Sequence, residues 1–247
     1  MPLLSSPVSL PSSPSVLLLP GLACDAQLFD HQAAALAPHA KVQVSDAHTR
    51  AATLPQMATL LWAEHPGRHL LVGASMGGML ALEMHRQAPG RVAALALLGS
   101  SARPDTPELI SLRTKACELF ASGRMDEVLR ANVLFAFHPN AARAPGLVER
   151  YLAMIRRAGA IQLIQQNHAV MARVDSRPHL PAIRCPVLVA CGEADLLTPP
   201  EHAREMAALI PQAQLDFVPG AGHMLTMEQP DRVSALLLRW VKNLQAA

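Results

Sequence analysis

Ser75 sits in the pentapeptide Gly73-Ala74-Ser75-Met76-Gly77, between the apolar run Leu70-Leu71-Val72 and a helix-like segment from Gly78 to Gln87. Strand, tight turn and helix with a serine at the apex is the setting the Gly-x-Ser-x-Gly motif needs to thrust a hydroxyl out of the C-terminal edge of a sheet. The glycines have a steric reason: on so sharp a turn a side chain at Gly73 or Gly77 would strike the neighbouring strand or helix. A serine capping an ordinary helix would look the same in isolation, so the partners decide. A hydroxyl is a weak nucleophile until a general base lies in hydrogen-bond reach and a third group orients that base.

Of the eleven histidines, position selects His223. It lies in Pro219-Gly-Ala-Gly-His223, directly after an apolar strand-like run. The orienting acid should follow another strand, between serine and histidine in the chain. Asp195, in Cys191-Gly-Glu-Ala-Asp195, meets that requirement, with Glu193 and Asp105 as competitors. A tetrahedral intermediate needs two aimed N–H donors. The Met76 N–H, next to the serine at a helix N-terminus, is one candidate. The Leu22 N–H, in the turn Pro20-Gly21-Leu22, is the other.

Elements must carry these groups to one place. Segments at Val16–Leu19, Lys41–Ser45, Leu70–Gly73, Val92–Leu98, Pro186–Cys191 and Leu215–Val218 read as strands. Helical periodicity falls at 26–36, 54–64, 78–87, 201–209 and 231–244, with Asp25 as a cap for the first. Strand–helix alternation predicts an α/β fold with a mostly parallel sheet of about six strands and flanking helices. From 103 to 180 the alternation stops. Helical segments are expected at 107–122, 125–133, 145–157 and 160–172, with eleven Lys/Arg against seven Asp/Glu. This block reads as a helical insertion on the sheet, splitting a core of 15–102 and 181–247. Residues 1–14, rich in Ser and Pro, read as a loose leader.

Composition narrows the partners. With 51% hydrophobic and 16% charged residues, there is ample material for a single large core. A net charge of +2 and no basic run with interleaved aromatics give no reason to expect nucleic acid. No apolar run approaches the ~20 residues of a membrane span, and no signal peptide is recognisable. Cys24, Cys117, Cys185 and Cys191 form no Cys-x-x-Cys pair. Cys185 and Cys191, placed on one predicted strand, would stand roughly 20 Å apart. Reduced thiols and a cytoplasmic location are expected. No histidine pair has metal-ligand spacing, so neither metal nor cofactor is expected. His48 is a minor candidate for substrate contact. His138 and His168 read as packing or surface residues. Ser100 and Ser101 are candidates for hydrogen bonds to the acid loop, and Phe135, Phe137, Met154 and Met171 for a pocket wall or block core.

The elbow at Ser75, the acid at Asp195, the base at His223 and their order resemble the α/β-hydrolase fold superfamily, and within it small bacterial carboxylesterases and enol-lactonases. The resemblance runs from Val16 nearly to the end. It implies a cofactor-free serine hydrolase acting on a small ester, lactone or thioester, with residues 103–180 as a helical cap. The same triad also supports C–C bond hydrolysis, perhydrolysis or lyase chemistry, and a non-catalytic small-molecule receptor is the alternative of another class. Two departures stand out. The family often has His-Gly where this chain has Pro20-Gly21, and its antiparallel first strands have no match in residues 1–14.

Overall fold

The computed structural model describes residues 13–246. The leader expected over 1–14 lies outside them except for Ser13 and Pro14, whose carbonyl accepts the Lys41 N–H. Strand β1 (Ser15–Leu19) is followed by a short 3-10 turn, capped by the Asp25 carboxylate, and by helix α1 (Asp30–Leu36). Next come β2 (Lys41–Val44), the one-turn α2 (Ala47–Arg50) and α3 (Leu54–Glu64). Strand β3 (His69–Ala74) runs into α4 (Met76–Gln87), which leads to β4 (Val92–Leu98). Helices α5 (Pro107–Ala121), α6 (Met125–Ala136) and α7 (Leu147–Met171) then intervene before β5 (Val187–Gly192). The chain closes with α8 (Pro200–Leu209), β6 (Gln214–Val218), α9 (Leu225–Glu228) and α10 (Pro230–Ala246).

The strands form one six-stranded sheet in the order β2-β1-β3-β4-β5-β6, and every neighbouring pair is parallel. The expected α/β architecture is therefore the observed one. β3, β4 and β5 are buried along their whole length, whereas the edge strand β2 alternates exposed and half-buried. That explains why the central runs are continuously apolar: helices cover both faces. Val16, Leu18, Leu70, Val72 and Ala96 pack on one face with α1, α10 and the helical block. Leu17, Leu19, Leu71, Leu95 and Val189 pack on the other with α3, α4 and α8.

The strand order reverses beside β1. From β1 the chain moves outward to β2, then crosses back to place β3 on the other side. In an open α/β sheet a crevice forms at such a switch point, outside the carboxyl ends of the two strands. Here those ends carry Pro20-Gly21-Leu22 and Ser75.

Between β4 and β5 none of the described residues is in a strand. α7 is one continuous helix only nominally, because Gly159 (φ 78°, ψ 172°) breaks it into two arms, close to the gap expected between 157 and 160. Helix α4 begins at Met76, two residues before the predicted start, and α6 extends to Ala136. Cys185 precedes β5 and is not on the strand with Cys191, which corrects the single-strand assignment. All four cysteines are free thiols. Among the described residues no helix is long and apolar enough to cross a membrane.

The β1–α4 approach is the tightest point of this scaffold. A Cβ on Gly77 would lie 1.9 Å from the Leu19 carbonyl oxygen, and one on Gly73 would lie 2.2 Å from the Gly77 oxygen. The steric role expected of both glycines is thus met, Gly77 against the neighbouring strand and Gly73 against its own helix. Gly77→Ala is expected to lower unfolding free energy by about 3 kcal/mol or more, as overpacking against immovable backbone does. Urea denaturation measures it, and a loss below ~1 kcal/mol would contradict this packing.

Candidate active site

Ser75 stands between β3 and α4 with φ 53° and ψ −117°, a conformation that L residues rarely adopt and that costs of order 1–3 kcal/mol. The surroundings enforce it. The Ser75 N–H donates to the Leu98 carbonyl, and its own carbonyl accepts the Ser100 hydroxyl at 2.8 Å. Ser100 therefore braces the elbow and does not reach the acid loop, as the sequence had suggested. Ser101 instead accepts the Arg103 N–H.

His223 arrives from the far edge of the sheet. To cover the distance, the loop after β6 folds back over the end of β5. A Cβ on Gly192 would lie 2.1 Å from the Gly222 oxygen, so glycine at 192 is what lets the loop cross. On the other side, Gly222 presses against the backbone of Phe137 and His138 in the helical block. The outcome is a line of three side chains. Ser75 Oγ lies 2.9 Å from His223 Nε2, and His223 Nδ1 lies 2.9 Å and 3.0 Å from the two Asp195 oxygens. Asp195 is 1% exposed and His223 8%. The three groups selected from sequence are thus brought together.

The competitors are occupied elsewhere. Glu193 is exposed. The Asp105 carboxylate is buried between Arg113 and Arg173, at 2.7 Å and 2.8 Å, and joins the start of the block to its first helix and its last turn. Burial alone would raise the Asp195 carboxyl, but the His223 ring and the donors of the acid loop outweigh it and hold it below the usual aspartate range. Those donors are the Leu197 and Thr198 N–H groups, both 2.9 Å from Oδ1, and the Thr198 hydroxyl, 2.8 Å from Oδ2. Carboxylates accepting several such bonds stay ionised. An ionised, immobile acceptor at Nδ1 fixes the tautomer in which Nε2 can take a proton.

Thr198 and Glu228 were not singled out from sequence. Glu228 is a half-buried carboxylate with backbone donors: both oxygens accept the Gly222 N–H at 3.0 Å, and one accepts the His138 N–H at 2.7 Å. Burial pushes its carboxyl up against the pull of those hydrogen bonds. It ties the histidine loop to the helical block. No motif announces it, although its place five residues after His223, just before the Pro230 that starts α10, was available.

The two candidate oxyanion donors lie on the two strand ends flanking the crevice. Met76 is the first residue of α4, where N–H groups have no intrahelical acceptor. The turn after β1 is pressed against the elbow: a Cβ on Gly21 would be 3.4 Å from Ser75 Cβ. Among the described residues neither the Leu22 nor the Met76 N–H makes a hydrogen bond within the chain. His48 is buried, its Nε2 2.7 Å from the Cys24 carbonyl, and burial holds its ring below the usual imidazole range. A neutral ring therefore donates there. His168 is on the surface. Phe137 and Met154 are core of the block, whereas Phe135 is half exposed. Among the described residues no group of three His, Cys, Asp or Glu side chains is placed to hold a metal ion.

Comparison with known proteins agrees with this fold. Residues 16–236 match the model of the alpha/beta hydrolase family. The putative carbamate hydrolase RutD of Escherichia coli (strain K12 / DH10B) is 30% identical over 202 residues, 78% of this chain and 72% of that protein. A thermophilic esterase from Thermogutta terrifontis superposes with a TM-score of 0.87 at 29% identity, covering 96% of this chain and 92% of the other. The enol-lactonase from Burkholderia xenovorans LB400, at 23% identity, shares the fold with a TM-score of 0.84, over 94% and 92% of the two chains. By the extent of the family match, the chain belongs to the alpha/beta hydrolase family.

Proposed function

We propose that the protein is a cofactor-free serine hydrolase that cleaves a small carboxylic ester, lactone or thioester. The observation that carries this reading is the continuous line Ser75 Oγ–His223 Nε2 and His223 Nδ1–Asp195, with both contacts at 2.9 Å.

Ser75 Oγ attacks the acyl carbonyl carbon while its proton passes to His223 Nε2. Negative charge develops on the carbonyl oxygen, where the N–H groups of Met76 and Leu22 stabilise it without reorganising. The intermediate collapses, the bond to the leaving group breaks, and His223 Nε2–H protonates the departing oxygen or sulfur. An acyl ester on Ser75 remains. Water then adds to that ester with His223 again taking the proton, and collapse releases the acid and restores the Ser75 hydroxyl. Asp195 keeps its charge throughout and stabilises the imidazolium. The helical block, residues 103–180, caps the crevice and sets the size of the acyl and leaving groups admitted.

A carbamate is the second reading, supported by the name of the Escherichia coli relative. Its carbonyl would be attacked in the same way, with an amide nitrogen lowering its electrophilicity. Competing p-nitrophenyl esters against matched carbamates separates the two.

Ser75→Ala is expected to lower kcat on p-nitrophenyl butyrate by roughly 10⁴-fold or more. Retention of more than roughly a hundredth of the rate would remove Ser75 from the reaction. Thr198→Val deletes one charge-assisted hydrogen bond to Asp195. It should reduce kcat about tenfold, the equivalent of ~1.4 kcal/mol, and leave KM unchanged. An unaltered kcat would show that the backbone donors suffice.

The Asp195–His223 pairing also has a signature that needs no substrate. The folded-state carboxyl lies below its ordinary value of 3.8, so the native state binds fewer protons there than the unfolded chain. The stabilisation is present above that ordinary value and is lost as pH falls through the lower folded one. The stability difference between native protein and Asp195→Asn should therefore be level near neutrality and shrink below pH ~4. A difference that grows on acidification would contradict it.

A further inference from the structure

The turn that offers the Leu22 N–H does not hold itself. Ala23 has φ 56°, a left-handed conformation that an alanine disfavours. Within the turn, the hydrogen bond Cys24 N–H to Gly21 carbonyl, 3.1 Å, closes the bend. The Cys24 thiol also donates to the Leu22 carbonyl at 3.5 Å, a weak contact, and the stronger restraints come from outside. The Ala23 N–H donates to Gln166 Oε1 at 2.6 Å, from a residue 143 positions later on the second arm of α7. His48 Nε2 donates to the Cys24 carbonyl at 2.7 Å. Gln166 is fully buried and fully used: its amide nitrogen donates to the His48 carbonyl at 2.9 Å and to Gln162 Oε1 at 3.1 Å. Reversing the amide would set its NH₂ against the Ala23 N–H, so the network fixes its orientation.

We propose that Gln166 is a positioning residue for the oxyanion turn, so that the seating of the second arm of α7 determines whether the Leu22 N–H is aimed at the reacting carbonyl. This rests on the hydrolase reading above and on Leu22 as a donor. Gln166 grips the residue next to that donor and the segment carrying His48, which grips the residue beyond. The neighbouring contacts of the arm fall elsewhere. Gln162 Nε2 donates to the Thr49 carbonyl, and Gln165 Nε2 to the Ala51 carbonyl. The break at Gly159 is what lets this arm run along the loops after β1 and β2.

The test compares Gln166→Met with Gln165→Ala, which removes a hydrogen bond from the same seam without touching the turn. kcat and KM for p-nitrophenyl butyrate are referred to sites titrated with a fluorophosphonate, so misfolded protein does not count. Affinity for a trifluoromethyl ketone, which forms a tetrahedral adduct on serine, reads the oxyanion site directly. For Gln166→Met, kcat per titrated site should fall about 10–100-fold, KM should change by less than about threefold, and ketone affinity should fall by the same factor as kcat. Gln165→Ala should stay within about twofold on all three. His48→Phe, which releases the Cys24 carbonyl from the opposite side, should repeat the Gln166→Met pattern and serves if that variant does not fold. Native ketone affinity and kcat per site in Gln166→Met, or equal losses in Gln165→Ala, would overturn the inference. Native protein that neither turns over ester nor takes the phosphonate would instead sink the hydrolase reading.

Discussion

Everything at this site depends on how closely α4 lies under β1. A helix can start this near a neighbouring strand only if its first turn has no side chain there. At Gly77 the Leu19 carbonyl occupies the place a Cβ would take. That contact forces the chain through Ser75 in a conformation no ordinary turn would choose. The strain is sustained by burial of β3 and β4, whose apolar side chains are covered on both faces. Two consequences follow from the same approach. The helix N-terminus, with its unpaired N–H groups and positive dipole end, points at the crevice. The turn leaving β1 lies against the serine.

His223 and Asp195, the proposed base and acid, are held by different means. They come from loops after β5 and β6, which converge because glycines at 99 and 192 let backbone cross backbone: a Cβ at Gly99 would already press on the His223 carbonyl oxygen at 3.3 Å. Polar groups then lock the convergence. Thr198 and the Leu197 N–H immobilise the acid, and Glu228 draws the histidine loop onto the helical block through backbone donors. The block is thereby tied to the core through Glu228 at the histidine loop and through Gln166 at the turn after β1, while Asp105 between Arg113 and Arg173 fastens segments of the block to one another. Buried polar networks of this kind act together and specify one arrangement.

The sequence made the scaffold readable where one local signal dominates. Continuous apolar runs marked the central strands, since burial on both faces leaves no alternation to misread. The elbow was readable because its glycines, serine and flanking elements are contiguous. Asp195 and His223 could be placed because parallel topology puts the ends of all strands on one side. Even the break in α7 showed, as Gly159 between two periodic segments. What did not show is whatever depends on meetings across long separations. Thr198, Glu228 and Gln166 are ordinary residues locally, and their roles exist only once loops from distant strands touch. Ser100 was noticed but given the wrong partner, because strand-end proximity alone does not say which neighbour a hydroxyl meets. The serine motif also could not reveal that the turn after β1 is held by the helical block.

In the proposed reaction a single serine, raised on the strained turn between β3 and α4, becomes covalently bonded to the acyl group. Native protein quenched in acid during turnover of a slowly deacylating p-nitrophenyl ester, then digested and mapped by mass spectrometry, tests it directly. One adduct, of the mass of the acyl group, is expected on the peptide containing Ser75 and localised to that residue. Turnover with no adduct on Ser75 under conditions that trap intermediates, or an adduct on Ser100, Ser101 or a cysteine in its place, would contradict it.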